Sequence, residues 1–214
     1  MRAQKRFFVP DLSPEARHEL RDLKVKVIFV AESPHTSEVE PEELAARRPL
    51  CGSAGRRWWS VLGDVLDADP SEDVSLSRLL DICSRHGVVV MNAIQYPLDP
   101  KIVGTYPAAD PALNLGFYKG PGELSFKKKK KTPELQGALS SLRARLSAPA
   151  LEKASVYCLG NDALWFVSEA LGKDGARGRI AGKIPHPSAW WRKGGVFKTI
   201  ARKELERIFK TLRC

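Results

Sequence analysis

The sequence predicts an α/β fold: a three-layer α/β/α sandwich whose central, mostly parallel sheet has four strands. Three observations predict it. Short β-branched runs alternate with amphipathic stretches in the order strand, helix, strand, helix. The runs are apolar at nearly every position, as strands covered on both faces are. The chain of 214 residues is long enough to bury a large core as a single domain, taken here as residues 1–214.

Ser13-Pro14-Glu15 offers an N-cap, a proline at the first helical position and an acid in the first turn, with Ala16, Leu20 and Leu23 following at helical spacing. Val25 to Ala31 is the first strand. Glu32 to Pro49 reads as loop with a helical turn near Pro41 to Leu44. Helical periodicity returns with Trp58, Leu62, Val65 and Leu66, and again with Leu76, Leu79, Leu80 and Cys83. Val88 to Ile94 is the second strand, followed by a Pro- and Gly-rich region from Tyr96 to Lys131 that includes a basic loop at about 119–132. Thr132-Pro133-Glu134 opens a helix with Leu135, Ala138, Leu139, Leu142 and Leu146 on its apolar face. A third strand spans Ala154 to Leu159, a helix begins near Asn161 or Asp162, and a short strand covers Ile180 to Ile184. The last helix carries a stripe of Phe197, Ile200, Ala201, Leu205, Ile208, Phe209 and Leu212.

Composition narrows the partners. Lys and Arg number 35 against 25 Asp and Glu, a net charge of +10, which asks for an anionic partner. Hydrophobic residues at 43% and charged residues at 28% are ordinary globular values and exclude a generally disordered chain. Val27 to Ala31 and Val88 to Met91 are too short to span a bilayer, and Phe7-Phe8-Val9 stops at Pro10 instead of extending into a signal-peptide core, so no membrane association or export is expected. The four cysteines, at 51, 83, 158 and 214, lack close metal-ligand spacing. Cys83 and Cys158 lie in apolar stretches and read as buried reduced thiols. No metal or cofactor is expected, and the compartment is a reducing cytoplasm, nucleoid-associated if the source is prokaryotic.

In a parallel sheet the working groups leave the carboxyl ends of the strands. Those ends carry Ala31-Glu32-Ser33-Pro34-His35 with the later Pro49-Leu50-Cys51-Gly52-Ser53-Ala54-Gly55, then Asn92, then Gly160-Asn161, then Pro185-His186-Pro187-Ser188-Ala189-Trp190-Trp191-Arg192-Lys193. The ordered set resembles the uracil-DNA glycosylase superfamily. Ala31 to His35 looks like that family's first active-site loop, closest to the branch reading Gly-Glu-Ala-Pro-Gly and continuing to Pro-Phe-x-Gly-x-Ser/Ala-Gly. Val90-Met91-Asn92-Ala93 is similar to its uracil-reading strand, and His186-Pro187-Ser188 matches its His-Pro-Ser loop.

The chemistry makes these residue types intelligible. Breaking an N-glycosidic bond leaves negative charge on the departing base, which a donor such as the His186 ring stabilises. A carboxylate such as Glu32 on the sugar side orients a water or offsets the oxocarbenium charge. The Asn92 amide has an acceptor and donors that match the N3–H and O4 of uracil. The base must leave the stack to be reached, so Ser188 and the amides of Gly52, Ser53 and Gly55 are expected on flanking phosphates. The resemblance implies a monomeric, monofunctional DNA-repair hydrolase. It would remove uracil or a related deaminated base from single- or double-stranded DNA and leave an abasic site, with Glu32 and His186 catalytic and Ser33, Pro34, His35, Leu50 and Asn92 at the substrate.

The departures from that pattern are specific. Ser33 stands where the most active branches have Asp or Asn, and a neutral hydroxyl is no general base. Leu50 replaces the Phe that stacks on uracil. Ala189-Trp190 replaces the Pro-Leu wedge, so Trp190 or Trp191 is expected as a larger wedge or a stacking platform. His35 falls where some branches have a Tyr that blocks the thymine methyl. None of the cysteines matches the iron–sulfur ligands. Arg192 and Lys193 belong to the pocket mouth. The Lys127–Lys131 run, with Lys128 and Lys129, is either a solvated loop or a salt-sensitive phosphate grip.

Bland readings stand beside these. His186 can be a hydrogen-bonded loop residue, Asn92 a strand-end cap, Glu32 a surface acid paired with Arg47 or Arg48, and Trp58-Trp59 core. At the level of the whole chain, a catalytically silent DNA-binding relative and a small-molecule nucleoside N-glycosidase remain alternatives.

Overall fold

The computed structural model describes residues 24–34, 50, 52–66, 85–94 and 133–213. The helices expected near Ser13 and near Leu76 to Cys83, together with His35, Cys51, Lys128, Lys129 and the side chain of Lys193, lie outside the described residues. The described elements run β1 (Val27–Ala31), α1 (Ser53–Leu66), β2 (Val88–Asn92), α2 (Pro133–Leu146), β3 (Ser155–Leu159), α3 (Asn161–Arg179), β4 (Ile180–Ile184), two short 3-10 turns, Pro187–Ala189 and Arg192–Gly195, and α4 (Val196–Arg213). The expected strand runs are each present, the first three trimmed by one or two residues where the ladder stops and the fourth with the bounds expected. The four strands form one sheet in the order β2-β1-β3-β4, and every pairing is parallel.

All five residues of β1 are buried, as befits a central strand. Successive side chains point to opposite faces. Ile28, Val30, Val89, Met91, Val156 and Cys158 accordingly join one apolar cluster, to which α2 contributes Leu135, Leu139, Leu142 and Leu146, and α3 contributes Ala163, Phe166, Val167 and Ala170. Val27, Phe29, Ala31, Val88, Val90, Tyr157 and Leu159 join a second, shared with Trp58 and Leu62 of α1 and Ala201, Leu205, Ile208 and Phe209 of α4. Phe29 is its hub: Trp58 meets it edge-on with ring centroids 4.9 Å apart, and Tyr157 and Phe209 flank it at 5.9 and 6.3 Å.

The crossover from β1 to β2 carries α1 on one face. Those running the other way, to β3 and β4, carry α2 and α3 on the opposite face. A single crossover hand requires this division. Ile200, expected on the buried stripe of α4, is 42% exposed because it sits about 100° around the helix from Ala201, which faces the core.

Two arginines hold chain ends that the sheet leaves unpaired. The Arg145 guanidinium, in the last turn of α2, donates to the carbonyls of Asn92 and Ala93, each at 2.7 Å, just where β2 ends. Arg179, at the end of α3, donates to the carbonyls of Leu146 and Leu151, both at 2.8 Å, so it caps α2 and ties down the turn after it. Hydrogen bonds to a charged donor are worth about 1.5–3 kcal/mol, enough to fix the strand end that presents Asn92. Among the described residues no helix is long and apolar enough to cross a membrane. Cys158 is a free, buried thiol whose pKa burial pushes up to about 12.

Candidate functional site

The strand order reverses direction between β1 and β3, and a parallel sheet opens a crevice at such a switch, outside the carboxyl ends of the strands. Ala31 pairs with Asn92, Val30 with Cys158, and Leu159 with Ile184, so all four strands end at one level. The ladder continues one step past the strands. Ala93 N–H donates to the Ala31 carbonyl at 2.7 Å, Ile94 N–H to the Glu32 carbonyl at 2.8 Å, and Gly160 N–H to the Ile184 carbonyl at 2.8 Å. Across this edge the order is Asn92, Glu32, Gly160 and then the His186 loop. Adjacent backbones are about 4.8 Å apart.

His186 is part-buried and its geometry fixes its chemistry. The Ser188 backbone N–H donates to Nδ1 at 3.2 Å, and the Ser188 hydroxyl lies 2.7 Å from the same nitrogen. A backbone N–H can only donate, so Nδ1 is the acceptor, the ring proton is on Nε2, and the hydroxyl donates to Nδ1 as well. Burial pushes the His186 pKa down to about 4. The ring is therefore neutral at physiological pH and offers one N–H from Nε2. Ser188 thus spends both its amide and its hydroxyl on the imidazole. In this structure it holds the tautomer.

Gly160 explains how the ring gets there. Its backbone, at φ 95° and ψ 177°, lies in a region essentially open only to glycine, and a Cβ built on it would sit 3.1 Å from His186 Cβ. Gly160→Ala is expected to cost about 1–3 kcal/mol in urea unfolding and to push the imidazole out of place. Unchanged stability would show that the close approach is not a constraint.

Asn92 is the one buried polar residue on the described core surfaces, at 1% exposure. By alternation its side chain shares a face with Val88 and Val90, the face of the second cluster, where Leu50, Trp58 and Trp190 also lie. Glu32 and Ser33 are part-buried at the end of β1, and Pro34 is buried.

The loop before α1 is unusual in its backbone. Leu50 has φ 54°, and Gly55 lies so close to the Leu50 carbonyl that no side chain fits there. Gly52 accepts the first helical bond, from Arg56 N–H at 3.0 Å, so Ser53, Ala54 and Gly55 supply the first-turn amides of α1. Leu50 is only 6% exposed and packs in the second cluster, which leaves little of its side chain to lie against a base.

Trp190 does not fit the wedge expected of it. It is 1% exposed, its indole N–H donates to the Pro185 carbonyl at 2.9 Å, and its ring packs 6.3 Å from that of Trp58. Trp58 and Trp59 are likewise core, at 0% and 6% exposure. Trp191 is the opposite case at 54% exposure, with the Arg57 guanidinium 3.9 Å over its ring.

No family model, curated protein or solved structure matches this chain.

The site therefore rests on its own chemistry. Among the described residues no three His, Cys, Asp or Glu side chains gather to hold a metal ion. What the edge offers is an N–H donor of fixed tautomer on His186, a carboxylate on Glu32, a buried amide on Asn92 and a basic rim of Arg56, Arg57 and Arg192, all exposed. Sequence reading assigned no role to three contributors. Arg145 and Arg179 look like ordinary solvated basic residues, and only their place in the last turn of a helix hints at carbonyl contacts. Gly160 had a clearer signal, a glycine between a strand and a helix start.

Proposed function

We propose that the protein is a DNA glycosylase that hydrolyses the N-glycosidic bond of uracil, or of a related deaminated base, and leaves an abasic site. The observation that carries the reading is the His186 imidazole, neutral and with Nδ1 occupied by Ser188, so that what the ring has left to offer is the Nε2 N–H. A departing uracil leaves as an anion with charge on its oxygens. A fixed, desolvated donor stabilises that charge more than it stabilises the neutral base in the ground state. Glu32, on the strand next to Gly160, supplies the opposite charge for the sugar side. Asn92, on the other side of β1, supplies the donor and acceptor pattern that reads uracil. The ordered strand-end motifs, similar to those of uracil-DNA glycosylases, and the net charge of +10 support a DNA substrate.

The test is incubation of the full chain with oligonucleotides, single- and double-stranded, carrying uracil, hypoxanthine or xanthine, followed by alkaline cleavage of abasic sites. Scission above a His186→Ala control supports the reading. Salt-dependent binding without scission on any substrate overturns it in favour of a catalytically silent DNA-binding protein, the outcome that Ser33 in place of an acid or amide favours. In an active protein, Glu32→Gln is expected to lower single-turnover excision by about 10²-fold or more with DNA affinity nearly intact. A loss of affinity with unchanged excision would remove Glu32 from the chemistry.

A further inference from the structure

The consecutive tryptophans after the His186 loop have been put to opposite uses. Trp190, the residue in the wedge position, is locked in the core by its bond to the Pro185 carbonyl and its packing on Trp58. Trp191 is 54% exposed although Arg57 lies 3.9 Å over its ring. That cation–π contact orients the indole and still leaves it broadly accessible. Arg56 on the same helix and Arg192 next in sequence are exposed as well. The result is an exposed indole with one guanidinium over its ring and two further exposed arginines nearby in the chain, five residues from His186.

An aromatic face of this kind binds the face of a base, and guanidinium groups beside it bind phosphates. Paired bases inside a duplex present only their edges and the sugar–phosphate backbone. Using Trp191 on a duplex therefore requires prior unstacking, which costs a few kcal/mol and is normally driven by an inserted apolar side chain. Among the described residues after the His186 loop, Trp190 is buried and Trp191 is braced against Arg57, so neither tryptophan is set to insert. We infer that the protein takes its DNA as a single strand, with a base neighbouring the target stacked on Trp191 and the adjacent phosphates held by Arg57 and Arg192. This rests on the DNA-substrate part of the reading above and adds the form of the substrate and the residue that selects it.

Fluorescence anisotropy of the full chain with a labelled uracil-containing oligonucleotide, single-stranded and annealed to its complement, tests the inference alongside excision on the same two substrates. Trp191→Ala is expected to weaken single-strand binding by roughly 10- to 100-fold, since stacking on an aromatic side chain is worth about 1–3 kcal/mol per base, with duplex binding unchanged. Trp191→Phe should restore most of the loss. Because Trp191 is exposed, the melting temperature should not move. Equal binding and excision on both substrates, untouched by Trp191→Ala, would overturn the single-strand inference and leave the glycosylase reading standing. Trp191-dependent single-strand binding without excision would do the reverse.

Discussion

His186→Ala is expected to lower single-turnover excision of uracil by about 10²- to 10³-fold, the usual cost of removing one preorganised donor from a developing anion. DNA affinity should change little, because the donor matters mainly once charge has moved onto the base. The pH profile separates this role from general acid catalysis by a charged imidazolium. With the folded pKa pushed down to about 4, the ring stays neutral across the physiological range, so excision should show no acid-side loss near pH 6.5 that traces to His186. An inflection near 6.5 that disappears in His186→Ala would mean that the working ring is charged.

The same burial makes His186 a stability determinant with a defined sign. Between about pH 4 and 6.5 the unfolded chain binds a proton at this position and the folded chain does not. Its contribution is complete above about 6.5, falls as the pH drops through that window and is gone below about 4. The full span is of order 3 kcal/mol. Urea unfolding of the wild type should therefore weaken over this range more steeply than that of His186→Ala. Parallel slopes would show that the ring is solvated.

The strands could be read from the sequence because each is a compact apolar run bounded by polar or glycine residues, and because a strand buried on both faces leaves no other reading of Val27 to Ala31 or Val88 to Met91. Their spatial order could not. Nothing in local composition says that β3 pairs with β1 instead of β2, and the crevice between β1 and β3 exists only once that pairing is made. The site residues that announce themselves, Glu32, Asn92 and His186, do so because a polar group at the end of an apolar run is conspicuous. Trp190 and Trp191 could not be told apart, being identical side chains in adjacent positions; the 3-10 turn at Pro187–Ala189 decides which one meets Trp58. Ser188 was similarly opaque, since a side chain that bonds two residues back looks the same in sequence as one that reaches out for a phosphate.

Asn92→Asp is the substitution expected to change what the protein does, beyond how fast it does it. An asparagine amide has a fixed donor end and a fixed acceptor end, so an orientation that accepts from uracil N3–H and donates to O4 meets cytosine with two mismatches. A carboxyl group at a position 1% exposed is held largely neutral by burial, and its proton can sit on either oxygen. It then matches uracil with one assignment of the proton and cytosine with the other. Uracil excision should fall, because holding an acid protonated at neutral pH costs free energy that an amide does not, while cytosine excision should rise from baseline. The ratio of the two rates should move by about 10²-fold or more, since a site built around hydrogen bonds rejects a mismatched partner by leaving buried groups unpaired. Arg145 bears on the result, because its bonds to the Asn92 and Ala93 carbonyls hold the backbone still while the side chain changes. Paired measurements of uracil and cytosine release, with a melting curve to show that the variant is folded, check the prediction. A folded variant whose preference for uracil over cytosine is unchanged would mean that Asn92 is a strand-end residue and that the base is read elsewhere.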